Sequence, residues 1–319
     1  MKVTKEMVHQ DLKTLFYPLK IVAYLLTKKW GIKLMDLRTK LVKGKGIDGL
    51  DCQEIFIHSN NNGPKIRVRI FKPLNQKEKL PVMLYCHGGG LVIGTPEEYR
   101  NYYESFIKKR PCIIVAPDYR KAVNDPYPAA FNDCYDTLLW IKDNIDKLGI
   151  TKDKFIIAGH SAGGGLAAAV TLKIRDTKDV NVAFQMPIYP MIDDRAITES
   201  GRDMDVPLWN SDSNNFAWKL YLRDLSKSGA KIPSYAAPAR NTNYRDLPPA
   251  ITFVGGLEPF RDETINYVES LKRENIPVIF KFYKTCYHGF DIILGNKGVG
   301  KDALDFTYNS YAEFYDKYI

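Results

Sequence analysis

This chain of 319 residues has little cysteine, little histidine and no long apolar run. Its five cysteines (Cys52, Cys86, Cys112, Cys134, Cys286) are scattered, with none of the paired spacing of a zinc site or a redox motif, so no metal is expected. An odd cysteine count and no secretory leader point to a reducing compartment, and the expected location is cytoplasmic. The apolar stretch Leu19 to Leu26 is broken by Lys20 and preceded by Pro18, too short to cross a bilayer. No Pro/Gly/Ser linker, internal repeat or low-complexity tract divides the sequence. At 45% hydrophobic it can bury a large core, so one domain with an accessory cap is expected rather than two domains.

Acidic residues are scarce in one place. Residues 1 to 45 hold eleven Lys/Arg against three Asp/Glu, nearly the whole net charge of +9. No basic run is interleaved with aromatics, which argues against a nucleic-acid groove. Residues 4 to 28 read as a helix kinked or split at Pro18, with Val8, Leu12, Leu15, Phe16, Leu19, Val22 and Leu26 on one face and Lys13, Lys20 and Lys28 opposite. The favoured expectation is that the apolar face packs on the rest of the chain and the lysines are simply solvated. Contact with anionic lipid is the lesser alternative.

Two strands, Cys52 to Ser59 and Pro64 to Pro73, are expected to form a hairpin through Asn60-Asn61-Asn62-Gly63. Alternation of Ile66, Val68 and Ile70 suits a half-buried antiparallel strand near the sheet edge. From residue 81 strands alternate with helices. The strands are Pro81 to Cys86, Cys112 to Ala116, Phe155 to Ala158, Val182 to Ile188, Ile251 to Val254 and Val278 to Tyr283. The helices are Pro96 to Arg110, Pro128 to Leu148, Ala162 to Arg175, Asp262 to Glu274 and Asp302 to Tyr318. This rhythm implies a mostly parallel sheet of eight strands with helices on both faces and ligands beyond the strand ends. Residues 191 to 245 break it, with no clear strand but with Trp209, Phe216, Trp218 and Tyr221, as a lid or binding element would.

Chemistry is concentrated at three points. Gly159-His160-Ser161-Ala162-Gly163 sits between a buried strand and a small-residue helix, where the chain reverses sharply and lifts a serine oxygen above the sheet. A G-x-S-x-G alone occurs by chance in roughly one chain in ten of this length. His87-Gly88-Gly89-Gly90 is a second and rarer feature: bare amides of Gly88 and Gly89, with that of Ala162, can stabilise an oxyanion. The third is His288, in a turn after the last strand. It is the best placed of five histidines to serve as base, since His9 and His58 lie far off and His87 and His160 belong to the glycine motifs. The partnering carboxylate should follow the strand Ile251 to Val254: Glu258 is nearest, and Asp262 is either a helix cap or the alternative acid.

These residues resemble the bacterial hormone-sensitive lipase family of α/β-hydrolase carboxylesterases. The resemblance is carried by His87 to Gly90, Asp118-Tyr119-Arg120, Tyr127-Pro128-Ala129-Ala130, Gly159 to Gly164, Tyr235 to Arg240, Leu247-Pro248-Pro249-Ala250 and His288-Gly289-Phe290, collinear over roughly residues 65 to 295. It implies an α/β-hydrolase fold, hydrolysis of esters with short to medium acyl chains, and a cap built from residues 1 to 45 and 191 to 245 on a catalytic domain of residues 46 to 190 and 246 to 319. No cofactor is implied. The partners expected are a small ester and, through the strand Val278 to Tyr283, a second copy of the chain.

The sequence departs from the family at Glu258-Pro259-Phe260, where Asp-Pro-Leu is usual, and at Leu91, where an aromatic is usual. It departs again at Lys121 to Asp125, which replace Leu-Ala-Pro-Glu. Leu91 and Trp209 are the expected pocket residues. The activity expected is that of a serine carboxylesterase using Ser161, His288 and Glu258. The alternatives are a small-molecule receptor like the gibberellin receptors, which have lost the base, and a prolyl-oligopeptidase-type peptidase, which would carry a large extra domain.

Overall fold

The computed structural model describes residues 1–59 and 63–319. The three asparagines of the expected hairpin turn, Asn60 to Asn62, lie outside the described residues. Eight strands form one sheet: β1 (Leu50–His58), β2 (Lys65–Pro73), β3 (Leu80–Cys86), β4 (Ile113–Asp118), β5 (Ile150–His160), β6 (Val182–Ile188), β7 (Ala250–Leu257) and β8 (Val278–Tyr287). Their order is β1-β2-β4-β3-β5-β6-β7-β8. β2 runs antiparallel to both neighbours, and every pairing from β4 across to β8 is parallel. The central strands are Val/Ile/Leu-rich because helices cover both their faces. Apolar residues on either side of the sheet form two large clusters.

β2 departs from the half-buried strand expected of it. Ile66 to Phe71 are all buried, Arg67 and Arg69 included. The reason is a carboxylate far away in sequence. Glu97, itself buried, accepts from Arg69 Nη1 at 2.8 Å and from Arg67, while Arg67 also reaches Glu54 and Asp118. Charges can stay buried when paired and hydrogen-bonded in this way.

The first 45 residues give a 3₁₀ turn (Gln10–Leu15) and two helices, Phe16–Leu25 and Lys29–Lys40. The kink or split expected near Pro18 is a split, just ahead of the proline. The proline then sits in the first turn of Phe16–Leu25, where its missing amide would have had no intrahelical partner. The expected helix over 96 to 110 likewise divides into a 3₁₀ turn (Pro96–Tyr99) and Arg100–Lys109.

Between β6 and β7 come short helices Glu199–Asp203, Ser211–Tyr221 and Arg223–Ser228. They meet the N-terminal segment directly. Leu208 donates its amide to Leu19 O, Ser213 Oγ to Ala23 O at 2.9 Å, and Lys20 pairs with Asp205. The insertion and the N-terminal helices thus cover one end of the sheet together.

Candidate active site

β5 ends at His160, and helix Ala162–Thr177 begins two residues later with Ser161 between them. Ser161 holds φ 58° and ψ −123°, a strained conformation for a residue with a side chain. Its Oγ makes no capping bond to the helix. The Ala162 amide, in the first turn, has no intrahelical acceptor and is left for a ligand.

β8 carries the chain to Tyr287, four residues past the expected end, and delivers His288 to the same point. Its Nε2 lies 2.8 Å from Ser161 Oγ, and its Nδ1 lies 2.5 Å from Glu258 Oε2. A carboxylate can only accept, so Nδ1 carries the proton and the bare Nε2 accepts from the serine hydroxyl. Edge contacts with Tyr189 (4.8 Å between centroids) and Phe260 (4.9 Å) fix the plane of the imidazole.

Glu258 follows β7 and is fully buried. Its extra methylene, relative to aspartate, is taken up by folding back: Oε1 accepts the Gly255 amide at 2.7 Å. Gly255 leaves room for this, since a Cβ there would lie 2.9 Å from that oxygen. Asp262 does not approach His288 and does not cap its helix. It lies one residue inside Arg261–Arg273, bound by the Ser200 amide at 2.8 Å and by Arg261. Its position at the helix start suits it to hold the insertion.

The glycine loop after β3 passes beside the serine. Gly89 has φ +115° and its carbonyl accepts the amides of Val92 and Ile93, which turns that carbonyl away from the site. The Gly88 amide also interacts with the hydroxyl of Tyr99, whose phenol burial keeps protonated. His87 sits behind the loop, its ring stacked on Tyr119. The Lys121 ammonium donates to His87 Nε2 at 3.2 Å, so Nδ1 bears the hydrogen and donates to Gly88 O at 2.7 Å. Burial, then Lys121, pulls the His87 pKa down to about 3, so the ring is neutral. The Lys121 departure thus supports the glycine loop from below.

His160 points to the opposite side. Its Nδ1 lies 2.5 Å from Tyr85 Oη, and burial followed by His288 lowers its pKa to about 3. Its Nε2 stands 3.8 Å from Asp291, a buried carboxylate that accepts from Tyr102 and Tyr189. His160 and His87 are thus both held by buried partners beside the site and neither faces Ser161 as a base.

A cavity of about 260 Å³ opens on Ser161 and His288. Gly88, Gly89, Gly90 and Trp209 line it, with Leu19 and Val22 from the first N-terminal helix, Leu26 just past its end, and Met35 and Arg38 from the second. Trp209 packs so closely on the glycine loop that a Cβ on Gly90 would run into its ring. Leu91 is not in this lining. With φ +64° its backbone turns, its side chain is 3% exposed and belongs to the core cluster, and its carbonyl binds the Ala122 amide. The positive φ, which residue type does not announce, removes Leu91 from the expected pocket wall. Sequence reasoning did not place Leu19, Val22 and Leu26 at the site, although their helical period marked a buried face. Tyr99 and Tyr189 carried no sequence signal.

Among the described residues no group of His, Cys, Asp and Glu is arranged to hold a metal ion.

A family model described as the α/β-hydrolase fold matches residues 83–292. The chain belongs to that family. Within it, the chain is a member of the hormone-sensitive-lipase-type carboxylesterases and is a carboxylic ester hydrolase. Esterase LipI of Mycobacterium tuberculosis is 31% identical over 248 residues, covering 77% of this chain and 76% of that one. Carboxylesterase NlhH of the same species is 30% identical over 70% of this chain and 71% of its own length. The solved structure of a bacterial heroin esterase superposes with a TM-score of 0.81 at 30% identity, covering 89% of this chain and 90% of that one.

Proposed function

We propose that the chain hydrolyses esters of short to medium acyl chains through Ser161, His288 and Glu258, with the amides of Gly88, Gly89 and Ala162 as oxyanion hole. The observation that carries this is the unbroken hydrogen-bond relay from Ser161 Oγ to His288 to Glu258 at the floor of the cavity. Ser161 attacks the ester carbonyl while His288 Nε2 takes its proton. The tetrahedral oxyanion lies against the amides, and its collapse expels the alcohol, which leaves with the proton from His288. Water, deprotonated by the same nitrogen, then attacks the acyl-serine and releases the acid. Glu258 holds the tautomer and offsets the charge of the imidazolium.

The cavity volume, near the low end of ordinary small-ligand sites, favours small acyl groups. Residues 1 to 45 and 191 to 245 act as the cap, supported by their mutual hydrogen bonds and by the five N-terminal residues in the cavity wall. The serine–histidine contact favours an enzyme over the receptor alternative. Four of five thiols are buried and none is paired, in keeping with a cytoplasmic protein. β8, an edge strand, is the surface offered for pairing with a second copy.

The test is turnover of p-nitrophenyl esters of increasing acyl length. The reading requires kcat/KM to peak at short or medium chains and to fall for long ones. Ser161→Ala should lose roughly 10⁶ in kcat. Retention of activity by that variant, or a steady rise of kcat/KM with chain length, would refute it.

A further inference from the structure

The two N-terminal helices are apolar on two sides. Their inner sides give Leu19, Val22, Leu26 and Met35 to the cavity wall. On the outer side of the first, Tyr17, Ile21 and Tyr24 follow at i, i+4, i+7, and are 64%, 64% and 58% exposed. Trp30, Leu34, Leu37 and Leu41 continue the same spacing along the second at 58%, 49%, 52% and 72%. Half of the large apolar side chains exposed in this way among the described residues fall between positions 17 and 41. Outward helix faces are normally polar, and a cluster of bare apolar residues marks an interaction surface. Because the inner sides of both helices look into one cavity, the outer stripes turn away from it together.

The charge beside these stripes is predominantly positive. Lys29, Lys33 and Lys40 lie along the flank of the second helix, and Lys28 occupies the turn between the two, its ammonium 5.5 Å over the Tyr24 ring. All four are exposed, and none forms an ion pair among the described residues. The only carboxylate on the second helix is Asp36. The sequence pattern put apolar residues on one side and lysines on the other. The structure adds a second apolar side with the lysines at its border.

We propose that helices Phe16–Leu25 and Lys29–Lys40 dock on an anionic lipid bilayer. Tyr17, Tyr24 and Trp30 sit at the headgroup level, the leucines and Ile21 reach the acyl boundary, and the lysines extend to the phosphates. Neither helix is long and apolar enough to cross the membrane, so the contact is a surface one. A second copy fits this face poorly, because a two-fold contact would bring Lys28, Lys29, Lys33 and Lys40 of both copies together. Docked in this way, the cavity lies beneath the membrane-facing helices. The proposal concerns binding and stands apart from the triad assignment.

The experiment is co-sedimentation of the full chain with vesicles of phosphatidylcholine alone or mixed with phosphatidylglycerol. Binding is expected to the mixed vesicles at low salt, to weaken as salt rises, and to be absent with phosphatidylcholine alone. Leu34→Gln with Leu37→Gln should lower the partition coefficient at least tenfold. Lys29→Gln with Lys33→Gln and Lys40→Gln should lower it by about a hundredfold and flatten the salt dependence. Both variants should hydrolyse a water-soluble ester as the parent does, which shows that they are folded. No binding to the mixed vesicles at low salt overturns the proposal, as does unchanged binding by the leucine variant. A concentration-dependent dimer that the leucine variant dissociates, with no vesicle binding, would assign the face to a second copy instead.

Discussion

Replacing Glu258 by glutamine tests its role as the acid against that of Asp262 as no other change can. Both oxygens of Glu258 accept: Oε2 from His288 Nδ1 at 2.5 Å and Oε1 from the Gly255 amide at 2.7 Å. Glutamine has one oxygen for these two donors. With its oxygen toward His288, its amide nitrogen faces the Gly255 N–H, donor against donor, in a fully buried site; such a group costs about 1–3 kcal/mol. With the amide reversed, its N–H meets Nδ1 and drives the imidazole proton to Nε2. Ser161 then faces an N–H and has no base. The second arrangement stops catalysis and the first leaves the imidazolium without a counter-charge. Glu258→Gln should therefore lower kcat by roughly 10³–10⁴ with KM little changed. Asp262→Asn, whose carboxylate is engaged by Ser200 and Arg261, should stay within about tenfold. Steady-state kinetics on a short-chain ester, with circular dichroism to confirm folding, decides between them. A folded Asp262→Asn enzyme with the greater loss in kcat would refute the reasoning.

Three further outcomes follow from other parts of the structure. Gly90→Ala should destabilise the fold by at least about 1–2 kcal/mol and cut activity, because residue 90 has φ +61° and its Cβ would displace Trp209; an unshifted thermal midpoint would contradict this. Glu97→Gln should cost about 3–5 kcal/mol in urea unfolding, since two buried guanidiniums lose their shared carboxylate; a loss under about 1 kcal/mol would show the network to be dispensable. His160 binds a proton below about pH 6.5 when unfolded but only near 3 when folded, so stability should fall as pH drops through that window, by about 1.4 kcal/mol per pH unit from this group. Asp291, raised by burial, acts in the opposite sense in parent and variant alike. His160→Gln should therefore lose about 2 kcal/mol less than the parent between pH 7 and 5 in urea unfolding, and equal losses would disprove the shift.

Features coded by neighbouring residues were legible in the sequence. The strands β3 to β7 could be placed from short apolar runs, and the strand–serine–helix turn from its glycines. The order of Ser161, Glu258 and His288 along the chain could be matched to the strand ends that present them. Features decided by backbone sign or by distant partners could not. Leu91 leaves the pocket because of one positive φ. Arg67 and Arg69 read as solvent-facing alternates of a strand, and only the arrival of Glu97 from some thirty positions away buries them. Helix Lys29–Lys40, within the cap region of residues 1 to 45, has no bounds legible in its own pattern because its apolar residues fall on two sides and no single face stands out.

The joint beneath Ser161 contains no side chains. A Cβ on Gly163 would run into the backbone carbonyls of Cys86 and His87, one on Gly159 into those of Cys86 and Gly163, and one on Gly165 into that of Met191. The helix behind the serine therefore rests on the end of the glycine-loop strand by main chain against main chain. Such a seam has no rotamers to shift and no volume to repack. Residues in the cavity wall and in the helices above it can change without moving the serine relative to the glycine loop. Substitutions that alter the taste for one ester or another can therefore be made over this frame without displacing the serine from the amides that serve it.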